Sequence, residues 1–409
     1  MNSCWFLFKW GVLGAVIGTV FAIPQLSRRV DDEFRRRAET QLAQHFDGLK
    51  VTVRSAELVP GRGILLRGLT VVEPDAEGPR AELAHVEDVF LTCPTELDKL
   101  IQGEPDVSQV VFRRPTFYNT RRPDGSWSLA KLRPRIRHKK MPQVRVEGGV
   151  VEWFDPLKNP SSSVTFRDIQ LTFAPAARPP GPSDPHAIPL PDHQACTFQG
   201  TFAADMVRRI ELSGTLDLNR REPSKSKWTS EGTIEGLELS NEFYRVLPEP
   251  WETKLDLVRS LRGQAKLEFH VAHDPEAPTP SHFRCTGHLT RGRLEDSRLP
   301  RPLTEIGGLF VATEEGVTME RLAARCGRAT LQFSGRRNGY EERSPVTLKG
   351  EVRELELDQE LIDALPESLR SQWHRFLPTG QVNADVTFSY DGQTWRPELS
   401  VQCDNVAFT

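Results

Sequence analysis

From residue 49 onward, apolar and polar residues alternate along much of the chain. Ile210, Leu212, Gly214, Leu216 and Leu218 share one phase, as do Ala265, Leu267, Phe269 and Val271. The same period of two returns at Ala329, Leu331 and Phe333, at Val382, Ala384, Val386 and Phe388, and at Leu399, Val401 and Cys403. Successive strand residues point to opposite faces, so strict alternation predicts half-buried antiparallel strands, apolar on one side and wet on the other. Shorter runs near 51–59, 64–72, 83–91, 107–118, 144–154 and 164–173 follow the pattern less regularly.

Helical patterns are few. Candidates are 95–102, the stretch around 241–262 with Phe243 and Leu247, and 358–377 with Leu361, Leu365, Leu369, Trp373 and Phe376. A one-faced sheet with so little helix to cover it has two outcomes. It closes on itself as a sandwich or barrel, or it keeps an apolar trough for a non-protein guest. The candidate lining of such a trough is the set of strict alternators: Ile210, Leu212, Leu216, Leu218, Leu267, Phe269, Leu331, Phe333, Val386 and Phe388. In a closed sandwich the same residues are core, and periodicity does not choose between the two.

The N-terminal pattern is different. Residues 5–23 read WFLFKWGVLGAVIGTVFAI, with Lys9 the one charge. At ~1.5 Å per residue this run reaches about 28 Å, enough for one bilayer crossing. Trp5 and Trp10 suit the interfacial belt. Val20, Phe21 and Ala22 fit a signal-peptide cleavage site weakly, and the positive region before the run is thin, so an uncleaved anchor over 1–28 is expected. Beyond it, Val30, Phe34, Ala38, Leu42 and Phe46 form one narrow apolar helix face, which lies on the membrane surface or docks on the first sheet. Arg28, Arg29, Arg35, Arg36 and Arg37 follow the run, and a positive-inside count places the bulk of the chain in the cytoplasm.

Two features divide the rest. Residues 174–195 contain seven prolines and almost no strand formers, which predicts an exposed linker or long loop. An internal repeat then appears at a spacing of 118 residues. Gly232 matches Gly350, Leu237 matches Leu355, Leu239 matches Leu357, Leu247 matches Leu365 and Pro248 matches Pro366. After a one-residue gap Gly263 and Gln264 match Gly380 and Gln381, and Cys285 matches Cys403 at the original spacing. The predicted unit is strand, short helix, Gly-Gln turn and further strands, a stacking module. The predicted organisation is an anchor over 1–28, an N-terminal module over 29–173, the linker over 174–195, a repeat over 196–349 and a second, incomplete repeat over 350–409. An uncapped sheet edge in that second copy is an aggregation risk, which predicts a fragment or a partner that continues the sheet.

Charge changes this picture little. The 409 residues carry a net charge of -3, so no whole-protein field for nucleic acid exists. The distribution is uneven, however: Arg113 to Lys140 holds ten Lys and Arg against one acid, Asp124. Phe117, Tyr118 and Trp127 interleave with these arginines, which suits base stacking. A membrane-proximal basic surface more often meets anionic headgroups. Nucleic acid is therefore not expected, and Arg121, Arg122, Arg135, Arg137, Lys139 and Lys140 are the candidate membrane-surface residues.

Candidate chemistry is thin. Cys4, Cys93, Cys196, Cys285, Cys326 and Cys403 form no CxxC pair and read as isolated buried or half-buried thiols. His270 and His273 sit close together near Asp274, but the H-x2-H spacing points its members to opposite strand faces, so no metal site is expected. Ser224 and Lys227 satisfy S-x-x-K only formally, in a polar turn with no companion motif. Neither G-x-S-x-G nor H-E-x-x-H occurs. No catalytic residues, no cofactor and no enzyme activity are expected.

The order of these parts resembles the AsmA-like family. The apolar run and amphipathic helix precede a strand pair, KVTVRSAELVPGRGILLRGLTVVEP. VVFRRPTFYNTRRPDGSWSLAKL is similar to that family's strand ending in proline, second strand and Gly-Trp turn. VRVEGGVVEWFDP and VTFRDIQLTFAP resemble the paired strands that follow, and LPRPLTEIGGLFVATEEGVTMERLAARCGRATLQFSG resembles the C-terminal strand unit. The resemblance implies a mainly β fold with short helices: a transmembrane helix, then an elongated, curved antiparallel groove built of repeats. It implies phospholipid transfer between membranes, a single-pass protein of the inner membrane and a body in the periplasm, against the arginine count. It implies membrane lipids as partners, with envelope proteins that continue the groove. The alternative is a non-lipid scaffold for outer-envelope assembly with a closed β core.

Overall fold

The computed structural model describes residues 35–36, 39–40, 42–43, 46, 48–74, 76, 81–94, 107–132, 141–158, 161–176, 193–219, 222–247, 259–296, 299, 301–341, 343–364, 370 and 379–407. The chain is mainly β, with short helices. The 17 strands among the described residues are all hydrogen-bonded in sheet. They lie in two compact units. The first comprises Met1–Asp205, Arg209–Ser230 and His273–Pro280; the second comprises Met206–Arg208, Glu231–Ala272 and Ser281–Thr409. The anchor predicted over 1–28 lies outside the described residues. Among the described residues no helix is long and apolar enough to cross a membrane.

In the first unit β1 (Lys50–Val59), β2 (Gly63–Val72), β3 (Glu82–Thr92) and β4 (Gln109–Thr120) form an antiparallel run. Next come β5 (Gln143–Asp155), β6 (Ser162–Pro175) and β7 (His193–Ala204). The expected antiparallel order has one exception: β5 pairs with β4 in parallel, Val110 opposite Val144 and Phe117 opposite Val151. A parallel neighbour cannot be reached by a tight hairpin. Residues 121–142 therefore form a crossover, and the basic PDG stretch is part of it. On the far side of the Pro-rich stretch, β6 and β7 are antiparallel partners with Phe173 opposite Phe198, so that stretch joins two neighbours of one unit.

The first unit has a closed core. Ile64, Leu66, Leu83, Val86, Val89, Leu91, Val110, Phe112 and Val144 are fully buried. Leu42 and Phe46 join them, and the Val53 amide donates to Glu39 Oε1 at 2.8 Å. Of the two positions open to the amphipathic segment, its described residues thus take the docked one. The crossover adds Leu129, Leu132 and Met141. Pro115 does not end its strand. β4 runs through it by a kink: Arg114 takes φ 49°, and the register with β5 skips from Arg113 to Thr116, where proline has no N–H to donate.

Three strands follow: β8 (Val207–Asn219), β9 (Lys227–Leu239) and β10 (Leu261–His273). The second unit continues with β11 (Ser281–Leu294), β12 (Leu303–Thr313), β13 (Gly316–Cys326) and β14 (Ala329–Asn338). It ends with β15 (Val346–Glu356), β16 (Thr379–Tyr390) and β17 (Trp395–Ala407), and β11 to β17 pair antiparallel in sequence order. Its described helices are α1 (Asn241–Val246) and α2 (Gln359–Ala364). The sequence repeat is visible here as repeated structure. Strand, helix and two strands occur as β9, α1, β10, β11 and again as β15, α2, β16, β17. Ser240 and Asp358, 118 residues apart, both cap their helices by accepting a backbone N–H, from Phe243 at 3.3 Å and from Leu361 at 3.0 Å. Gly236 and Glu354, also equivalent, both take positive φ, 64° and 58°.

The strands of this unit are bulged. Register shifts fall at Leu289/Gly292, Thr304/Gly307, Met319/Leu322 and Val352/Leu355. Each spans a charged residue at positive φ: Arg291, Glu305, Arg321 and Glu354. A bulge bends its strand and increases the local twist. The alternation read from the sequence is therefore broken within these strands, twice in each of the β11–β12 and β12–β13 pairings.

Candidate functional site

Side chains sort by face most clearly in β14. In β14, Ala329, Leu331, Phe333 and Gly335 point one way, and Thr330, Gln332, Ser334 and Arg336 the other. The registers extend this split across the sheet. Gly287 stands opposite Phe310, Phe310 opposite Met319, Met319 opposite Gly335 and Gly335 opposite Leu348. Leu348 stands opposite Phe388, and Phe388 opposite Pro397. One row thus crosses all of β11 to β17 without a polar side chain. Next to it, Phe333, Gly350, Val386 and Leu399 are in register, and then Ala324, Leu331, Val352, Ala384 and Val401. At ~4.8 Å per strand, six spacings make the row about 29 Å long along the sheet.

This face is incompletely covered. At one end it holds two small clusters, Leu289, Ile306 and Ala324, and Cys326, Ala329, Val352 and Ala384. Toward β17 exposure rises: Phe388 is 38% exposed, Val401 47% and Leu399 60%. Scattered exposed hydrophobics are normal, but rows of them in register mark a binding face. At the other end stand aromatic pairs, Tyr390 stacked on Trp395 at 4.8 Å and Phe283 beside Tyr340 at 6.2 Å. On the opposite face Arg353 pairs with Glu351 at 3.2 Å and Asp385 at 3.1 Å, and Leu309 is exposed there as well. An open depression of about 630 Å³ over β14–β17 touches Phe333, Gly350, Val386 and Leu399 but also Gln332, Lys349, Glu351 and Asp385. It is therefore no enclosed apolar pocket.

Arg301 stabilises the end of this sheet near α2. It pairs with Glu356 at 3.6 Å, with Asp358 and with Glu360, and so fastens the helix cap to the strand ends. Its backbone carbonyl faces the buried Cys326 thiol.

The structure divides the predicted trough residues between the units. Leu216 and Leu218 belong to the closed core of the first unit, Leu212 packs against it and Ile210 is buried. Leu267, Phe269, Leu331, Phe333 and Val386 lie half-buried in the second unit, and Phe388 is exposed. Sequence reasoning missed Phe310, Met319, Leu348 and Trp395. Leu348 carries the same period-two signal as its neighbours Val346 and Val352. Phe310 and Met319 were hidden by the bulges.

No protein-family model matches the chain, and no curated protein does.

The basic candidates are placed differently. Arg121 pairs with buried Asp155 at 3.1 Å. Arg122 and Lys131 both pair with Glu73, itself buried. Arg135, Arg137, Lys139 and Lys140 lie outside the described residues. The turn itself is as the sequence implies: Gly125 takes φ 80°, and the Ser126 amide donates to Asp124 Oδ1 at 2.8 Å. Trp127 then packs on Trp153 at 4.3 Å. Burial pushes the Glu73 carboxyl up, but the Lys131 hydrogen bond and the Arg122 charge outweigh it and hold it below its ordinary value. A carboxyl lowered on folding adds stability above its unfolded pKa, and that stability is lost as pH falls through the folded value. Glu73→Gln should therefore lower the stability of the first unit at neutral pH by about 1–3 kcal/mol. It should also lessen the loss on acidification below the usual carboxylate range. Thermal melts of both proteins from neutral to acid pH check this; equal neutral melting temperatures would contradict it.

His282 meets Glu314 at 2.8 Å, His270 lies 3.8 Å from Glu231, and His273 packs on Trp228. Among the described residues no three His, Cys, Asp or Glu side chains are grouped to hold a metal. Cys93, Cys196 and Cys326 are buried, Cys285 half-buried and Cys403 exposed. Burial pushes the Cys93 thiol up to about 11 and Cys196 up to about 12, so both stay protonated at neutral pH.

Proposed function

We propose that the second unit carries the acyl chains of membrane lipids along its apolar rows, in a membrane-anchored, AsmA-like protein of lipid transfer or envelope biogenesis. The observation that carries this reading is the row from Gly287 to Pro397, apolar on every strand and only partly covered. Its length of about 29 Å is close to the ~30 Å of a bilayer's hydrocarbon core. A guest on this row finds no hydrogen-bonding side chain. An extended peptide would leave part of its backbone unsatisfied there, at a cost, whereas a hydrocarbon chain has nothing to satisfy. Each methylene withdrawn from water gains about 0.8 kcal/mol. A lipid leaving a bilayer is already in hydrocarbon, so a carrier needs continuity of apolar surface more than affinity.

In this reading residues 5–23 are the anchor and the body faces the periplasm, with membrane lipids as cargo and envelope proteins as partners. The second reading, an assembly scaffold, draws on the first unit, whose apolar side chains are buried in one large cluster. Lipid extraction and mass spectrometry of the full chain, purified in mild detergent, separate the two. The lipid reading expects phospholipid well above that in an unrelated membrane protein treated alike. Equal amounts would reject it.

A further inference from the structure

Three glycines interrupt the apolar rows, and each lies beneath a large neighbour. A Cβ placed at Gly287 would collide with the ring of Phe310, its register partner. A Cβ at Gly350 would stand 2.8 Å from Phe333 Cδ1, and one at Gly335 3.0 Å from the Thr347 carbonyl oxygen, 3.1 Å from Leu348 Cδ1 and 3.2 Å from Met319 Cε. None of the three takes a positive φ, so their backbones do not require glycine. What requires it is the neighbour: the side chain lies down across the strand into the space a Cβ would take.

We infer that Gly287 and Gly350, by letting Phe310 and Phe333 lie flat, set the clearance of the lipid path in this unit. A side chain at either glycine lifts the ring off the sheet into the space above the row. There it would stand across an acyl chain laid along β11–β17. The glycines are then positioning residues for the guest, acting through the aromatic rings. The inference rests on the acyl-chain reading given above, and its occupant is the same: the hydrocarbon chain of a membrane lipid.

The test uses the full chain and phosphatidylcholine vesicles with a trace of fluorescently labelled phospholipid, measuring the label retained by protein after vesicles are removed. Wild type should retain label. Gly287→Val should retain about tenfold less, because the displaced ring overpacks the path. Valine suits a strand, so far-UV circular dichroism should be unchanged. Gly287→Val with Phe310→Ala should recover to within about twofold of wild type, because the obstructing ring is gone. Gly350→Val, with and without Phe333→Ala, repeats the logic at an independent position should the first variant not fold. A Gly287→Val protein that folds and loads like wild type overturns the inference and leaves the lipid reading standing. So does loss of loading that removal of the ring fails to restore. A wild type that retains no label overturns both.

Discussion

Phe112→Ala should lower the stability of the first unit by about 3–5 kcal/mol, whereas Phe388→Ala should change that of the second by less than about 1 kcal/mol. The two phenylalanines sit in strands of similar length and differ in what covers them. Phe112 is fully buried, flanked in register by Val89 and Val146. Its removal leaves a cavity that the surrounding valines cannot fill, adding a cavity term to the lost transfer energy. Phe388 is 38% exposed, between Leu348 and Pro397. Its removal uncovers some sheet but opens no void. Denaturant unfolding followed by hydrogen exchange in peptides of β4 and β16 reads the two effects separately. Comparable losses at both positions would mean that the second unit has a closed core, and the scaffold reading would gain.

The second large effect concerns cargo. Leu348→Arg should reduce phospholipid retained by the purified chain by about tenfold or more while the protein stays folded. Leu348 is half-buried within the row, between Gly335 and Phe388. An arginine in a closed core would be an unpaired buried charge and would disrupt folding. On an open face its long stem reaches water, so folding survives. The charge, however, lies across the row and must be desolvated by any acyl chain that covers it. Lipid mass spectrometry and circular dichroism on the same sample check both halves. Loss of fold with loss of lipid contradicts an open face; unchanged lipid contradicts the cargo path.

Much of this architecture was legible in the period-two pattern, since one apolar face is all that an antiparallel strand needs to declare itself. The repeat was legible too, and the structure adds that Ser240 and Asp358 cap its equivalent helices. The pattern could not say which alternating runs are covered. Leu216 and Leu218 read exactly as Leu331 and Phe333 do, yet the first pair is core and the second half-open. Covering is decided by distant segments such as Leu42, Phe46 and the crossover residues Leu129 and Leu132, which no local period encodes. The parallel pairing of β4 with β5 was hidden for the same reason. The bulges were hidden because charged residues at positive φ, Arg291 or Glu354, carry no compositional sign of it. The density of arginines at the PDG turn gave no sign of their partners, because Glu73 and Asp155, which pair with Arg122 and Arg121, lie far away in sequence.

If acyl chains lie on the apolar rows of the second unit, they can be caught in place. Photo-crosslinking tests this most directly, with a phospholipid carrying a diazirine on one acyl chain, incorporated during expression or from vesicles, and labelled peptides mapped by mass spectrometry. The account predicts label on peptides of β12 to β16, concentrated at Phe310, Met319, Leu348 and Phe388, and little at Gln332, Lys349 or Glu351 on the opposite face. Label confined to the first unit, or divided evenly between the two faces of the second, would contradict it.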